Sequence, residues 1–129
     1  IHILGIGGLD DILHGVSSGY DTFDCVSPTR IARHGIMMSK LSSKGINLNN
    51  SKFKDDHSSI DERCEIQEIN KFSKSYIHHL FKANEMLGMT ILSIYNIWFM
   101  NKFFEEIRLS INEDRFEEYK NKILSNLVE

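Results

Sequence analysis

The chain has 129 residues, 41% of them hydrophobic and 26% charged, with a formal net charge of −3. That is enough chain for one domain with a buried core, and the charge balance excludes a globally basic nucleic-acid binder while leaving local basic clusters open. No apolar run has the length of a membrane span and none reads as a signal peptide; Cys25 and Cys64, far apart in the chain, read as free thiols of a reducing cytosol.

In chain order, Ile1 to Ile6 (IHILGI) reads as a buried strand running into the glycines Gly5, Gly7 and Gly8. Leu9 to Ser18 carries Asp10 and Asp11 at its start and Leu9, Ile12, Leu13 and Val16 on one face, which predicts a short helix ending at Gly19. Tyr20 to Val26 then reads as a second strand. Strand, helix and strand in this order predict a right-handed crossover with two parallel strands. Ile36 to Asn50 suggests a hairpin turning at Ser42-Ser43-Lys44-Gly45. Residues 51 to 65 are polar and read as loop. A helix is predicted from Asn70 to Leu87, broken by Gly88, followed by an apolar helix from Met89 to about Ile111 and an amphipathic one over Asn112 to Leu127. The chain opens inside a strand and without Met, so it reads as the C-terminal piece of something longer. Two parallel strands and three helices leave strand edges uncovered, and an N-terminal portion is expected to cover them.

The chemistry-bearing stretch is FDCVSPTRIARHG, residues 23 to 35. Asp24 falls at the C-terminal end of the second strand, the end at which parallel α/β folds carry their sites. Gly5 to Gly8 fall at the same end of the first strand and allow backbone to lie against a flat ligand. Arg30 and Arg33 follow on the predicted loop and suit phosphate contact. A post-strand aspartate also serves as a turn or cap residue, and loop arginines are commonly solvated. Asp21, three residues earlier, points to the opposite face and is not expected to share a site with Asp24.

The form Phe-Asp-Cys-Val-x-Pro-Thr-Arg-x-x-Arg-x-Gly, with LGIG before it and SKSYIHHL after it, resembles the C-terminal portion of the bacterial tRNA-guanine transglycosylase (queuine tRNA-ribosyltransferase) family. The resemblance runs in register from about Ile3 to the last helix. It implies an α/β fold: the last strands of a TIM-type (β/α)8 barrel with their catalytic loop over residues 1–50, then a zinc-type, mainly helical subdomain over 51–129. It also implies a cytoplasmic homodimeric enzyme that exchanges guanine at the tRNA wobble position for a 7-deazaguanine base. By position, Asp24 would attack the ribose anomeric carbon and hold the RNA covalently, Leu4 and Gly5 would lie against the base, and Arg30 and Arg33 would contact the anticodon loop. The family more often has Met where this chain has Leu4, and generally a basic residue where it has Asn49. The family's acid/base aspartate belongs to earlier barrel strands, so these residues alone are expected to be catalytically incomplete. A non-catalytic remnant or accessory module that keeps tRNA-binding or dimerisation surfaces is the alternative.

The same resemblance places the family's zinc ligands at Cys64, Ile66, Ile69 and Tyr95, of which Cys64 alone can bind metal. No metal cofactor is therefore expected, with Ile66, Ile69 and Tyr95 packing in its place. Such a clip is the weaker one, since burying an aliphatic side chain contributes roughly 1.5–3 kcal/mol against an apparent 10–16 kcal/mol for structural zinc in small peptides. A substitute site from His57, Cys64, Glu65 and His78 or His79 is the competing possibility. Ile91, Leu92, Ile94, Ile97, Trp98, Phe99 and Phe103 read as core and dimer contact. Glu105, Glu106, Glu113, Asp114, Glu117 and Glu118 read as a solvated face.

Overall fold

The computed structural model describes residues 1–128. Strand β1 (His2–Leu4), helix α1 (Leu9–Ser17) and strand β2 (Thr22–Asp24) form the expected unit, and β1 and β2 pair in parallel with Ile3 opposite Phe23 and Leu4 opposite Asp24. Leu9, Ile12 and Leu13 bury the inner face of α1, while Asp10 and Asp11 sit in its first turn, where they meet the positive end of the helix dipole. The second strand is shorter than its apolar pattern suggests. Cys25 leaves it, and Val26, 54% exposed, precedes a new helix.

That helix, α2 (Ser27–Ala32), replaces the predicted loop. Pro28 lies in its first turn, where a missing N–H costs nothing and a fixed φ already suits a helix. The proline therefore starts a helix. Strands β3 (Ile36–Ser39) and β4 (Ser42–Asn47) form the antiparallel hairpin, with Ser39 opposite Ser42. Its connection is the pair Lys40-Leu41; Ser42 to Gly45 belong to β4, beside an irregularity in register between Met37 and Ser39. The turn-like composition of Ser42–Gly45 thus marked a distorted strand.

A 3-10 turn (Ser51–Phe53) and a four-residue helix, α3 (Gln67–Asn70), interrupt the polar connection. The helix predicted from Asn70 to Leu87 is divided. Ser73 caps α4 (Lys74–Lys82) by accepting from the Tyr76 N–H at 3.1 Å, and Asn84, at φ 54°, turns the chain into α5 (Met86–Asn112). Gly88 lies inside α5 and breaks nothing. A Cβ there would stand 3.0 Å from the Phe81 ring and 3.2 Å from the Leu80 Cβ, so this glycine is what lets α4 and α5 approach. Asp114, also at φ 54°, separates α5 from α6 (Phe116–Asn126).

Helix α5 is the spine of the molecule. Ile91, Leu92, Tyr95, Phe99, Phe103 and Ile107 are buried along one side of it, and α2, β3, α4 and α6 pack on it. Phe23 of β2 reaches Phe104, with ring centroids 5.6 Å apart, which ties the crossover unit to the same spine. Ile94 and Ile97 are 40% and 48% exposed on its outer side. No described helix is long and apolar enough to cross a membrane.

Candidate functional site

The parallel pairing of β1 and β2 brings three of the predicted site residues together. Leu4 and Asp24 are register partners at the C-terminal ends of the two strands, and the Gly5 N–H donates to the Asp24 carbonyl at 2.6 Å. Leu4, Gly5 and Asp24 are all exposed at this end. Asp21 precedes β2; three residues at about 3.3 Å per residue put its Cα about 10 Å from that of Asp24.

Arg30 and Arg33 are exposed, in the last turn of α2 and at its C-cap. Their spacing of three places them on one face of the helix. Six residues at 1.5 Å each make α2 about 9 Å long, so the cations stand at the far end of a short rigid element that begins three residues after Asp24. Its near end is held by Cys25: the Ser27 N–H donates to Cys25 Sγ at 3.3 Å, and the thiol donates to Ser27 Oγ at 3.0 Å. The Gly7 backbone lies against that thiol, where a Cβ would come within 2.5 Å of Sγ.

The residue that aims α2 is one the sequence reading passed over. Asn96 is fully buried in α5, and its Oδ1 accepts from the Met38 N–H at 2.8 Å. Its Nδ2 donates to the carbonyls of Pro28 and Ile36 at 2.9 and 3.0 Å. One backbone donor and two carbonyls leave a single orientation for the amide. Asn96 therefore fixes the start of α2 and the start of β3 to the spine. Its signal was an amide within the apolar run Ile94–Phe99.

The positions that the resemblance aligns with zinc ligands hold one thiol, two aliphatic side chains and a phenol. Cys64 and Ile69 are buried, Ile66 is half-buried against the core, and Tyr95 is 1% exposed. Burial pushes the Cys64 thiol up, away from the thiolate that metal needs. Tyr95 does more than pack: its hydroxyl donates to Asp61 Oδ2 at 3.0 Å, and burial pushes its own pKa far up. Burial alone would raise Asp61, but hydrogen bonds from Arg63 and Tyr95 outweigh it and hold the carboxyl below its usual range. The polar stretch is thus clipped to α5 through a carboxylate–phenol contact in addition to apolar burial. The competing cluster does not assemble. His57 Nδ1 faces Ser75 Oγ, His78 Nδ1 donates to the Leu48 carbonyl, and among the described residues no three His, Cys, Asp or Glu side chains are placed to share an ion.

One member of the acidic stretch departs from the solvated face. Glu106 is half-buried and accepts from Lys40 and, at 2.6 Å, from the Tyr119 hydroxyl, joining the hairpin turn, α5 and α6.

The family model for queuine tRNA-ribosyltransferase matches residues 1–129. Among curated proteins, the queuine tRNA-ribosyltransferase of Clostridium acetobutylicum is 46% identical over 124 residues, covering 96% of this chain and 32% of the relative. That of Dictyoglomus turgidum is 41% identical over 127 residues, covering 98% and 32%. That of Clostridium tetani is 44% identical over 126 residues, covering 98% and 33%. The chain thus spans about a third of the length of the curated relatives it matches. With its whole length matched by the family model, and with relatives at these identities, the chain belongs to the queuine tRNA-ribosyltransferase family.

Proposed function

We propose that this chain is the part of a tRNA-guanine transglycosylase that carries its nucleophile. The observation that supports this most is the exposed Asp24 carboxylate at the end of β2, beside Leu4 and bonded through its carbonyl to Gly5. In this reading residues 1–50 are the last strands of a TIM-type barrel with the catalytic loop, and 51–129 are a helical subdomain that has lost its zinc site. The enzyme works in the cytoplasm as a homodimer.

Chemically, an Asp24 oxygen attacks C1′ of the ribose at the tRNA wobble position. The glycosidic bond breaks with its electron pair leaving on guanine, which takes a proton, and an aspartyl-ribose ester holds the RNA. This is the first half of a retaining glycosidase cycle. The second nucleophile is the deprotonated ring nitrogen of a 7-deazaguanine base, which attacks the same carbon and returns the electron pair to the carboxylate. Leu4 and Gly5 form one wall for the flat base, with the Gly5 backbone able to approach it closely. Arg30 and Arg33 pair with phosphates of the anticodon loop. No metal takes part in any of these steps.

The test is exchange of radiolabelled guanine into unmodified tRNA by the protein as encoded. Asp24→Asn is expected to abolish exchange and to abolish the covalent protein–RNA adduct seen on denaturing gels. Exchange at the wild-type rate in that variant would overturn the assignment. The second reading, an accessory tRNA-binding or dimerisation module, draws on the ligand positions occupied by Ile66, Ile69 and Tyr95. It predicts RNA binding by the wild-type protein with neither exchange nor adduct.

A further inference from the structure

Helix α2 is held at both ends by side-chain amides. Asn96 takes the Pro28 carbonyl in its first turn, and Asn49 takes the His34 carbonyl just past its end, with Asn49 Nδ2 donating to that oxygen at 2.9 Å. The Asn49 amide has no choice of orientation. Its own backbone N–H donates to Asn47 Oδ1 at 3.0 Å, and its Nδ2 donates to the same oxygen at 3.1 Å. A backbone N–H only donates and a backbone carbonyl only accepts, so both amides are assigned by their backbone partners.

The stretch fastened in this way carries Arg33. Arg33 is the C-cap of α2, and two residues later the chain reverses at Gly35, whose φ of 80° suits glycine and strains other residues. A Cβ at Gly35 would collide with Asn49 Nδ2, so the glycine also makes room for the amide. At this pivot the Leu48 N–H donates to the Gly35 carbonyl at 2.9 Å, on the side where Ile36 pairs with Asn47 in the hairpin. Asn49 holds the helix side, one residue from Arg33. Ala32 and Ile31 seat α2 on the core, whereas Arg33 and His34 are exposed. Apolar packing is non-directional, and hydrogen bonds fix a direction.

We infer that Asn49 is a positioning residue for tRNA: by holding the His34 carbonyl, it sets the direction in which Arg33 presents its guanidinium to an RNA phosphate. Arginine pairs with phosphate through parallel N–H bonds, so a turned helix end keeps the charge and loses the pairing. The inference rests on the transglycosylase reading, in which Arg33 contacts the RNA held at Asp24.

The experiment is steady-state exchange of guanine into unmodified tRNA by the full encoded protein, with Asn49→Ala, Arg33→Ala and the double variant compared. Asn49→Ala is expected to raise KM for tRNA roughly three- to tenfold while kcat and KM for guanine stay within about twofold, because a contact made equally before and during reaction acts on binding alone. In the Arg33→Ala background, Asn49→Ala is expected to change KM for tRNA no further, since no guanidinium remains to be aimed. Asn49→Asp keeps the shape of the side chain but cannot donate to a carbonyl, and it is expected to raise KM for tRNA at least as far. Where Asn49→Ala does not fold by circular dichroism, Asn49→Asp carries the same cycle; failure of both to fold makes Asn49 purely structural and overturns the inference. The same fold-increase in both backgrounds, a wild-type KM for tRNA in the Asn49 variants, or a fall in kcat alone also overturns it and leaves the transglycosylase reading standing. Absence of exchange by the wild-type protein overturns both.

Discussion

Asn96 shows how one side chain can decide where a short helix points. Its three partners lie 58 to 68 residues away in sequence, on Met38, Ile36 and Pro28, and all are backbone groups. Asn96→Leu keeps side-chain volume but leaves those groups without their partner, each at about 1–3 kcal/mol where water cannot replace it. A loss of at least about 3 kcal/mol in urea unfolding is expected, with guanine exchange lowered under conditions where the variant remains folded. A variant within 0.5 kcal/mol of wild type would show that α2 is oriented by packing alone. At this scale the sequence was partly legible. The positions of Gly5 and Asp24 followed from strand periodicity and the shared strand end, because those are local regularities. The role of Asn96 was not legible, because an amide in an apolar run announces a partner without naming it.

The junction of the hairpin turn, α5 and α6 is the point where elements meet through charge. Lys40, on the two-residue connection between β3 and β4, pairs with Glu106 of α5, and Tyr119 of α6 donates to the same carboxylate. Burial would raise the Glu106 carboxyl, but the bonds from Lys40 and Tyr119 outweigh it and leave it below its usual value of 4.5. A carboxyl depressed in the folded state stabilises above its unfolded pKa, and that contribution is lost as pH falls through the folded value. Asp61 is depressed in the same direction, with an ordinary value of 3.8, by Arg63 and Tyr95 against burial. Stability is therefore expected to be level from pH 7 to about 5 and to fall below about 4. Glu106→Gln should lower the midpoint of unfolding at pH 7 and make the acid decline shallower, as followed by circular dichroism. An equally steep decline in that variant would place the acid sensitivity elsewhere. Charge patterning marks the whole acidic face as solvated, because it carries no information on which member faces a neighbouring helix.

Over the whole molecule, a single 27-residue helix organises everything else, and the region aligned with a metal site is fastened to it by side chains. Ile69 and Tyr95 are buried, and the Tyr95–Asp61 contact adds a polar fastening. One thiol with a raised pKa does not make a tetrahedral zinc site. Elemental analysis of the purified protein is expected to find zinc well below one per chain, and chelator should leave its thermal unfolding midpoint unchanged. One zinc per chain, or a chelator-induced drop of several degrees, would show that metal still holds this region.

The sequence by itself determined the parallel crossover, the strand end at which Asp24 stands and the family, because periodicity, chain order and the FDCVSPTRIARHG stretch are all local properties of the chain. It also set one thiol, two aliphatic side chains and a phenol at the positions that the resemblance aligns with zinc ligands, since side-chain chemistry is fixed by residue type. Tertiary structure alone decided that Arg30 and Arg33 ride on a helix, that Asn96 aims that helix, that Asn49 holds its far end, and that Glu106 and Asp61 are fastenings. These depend on contacts between residues far apart in the chain, formed when the buried side of α5 draws the other elements onto it.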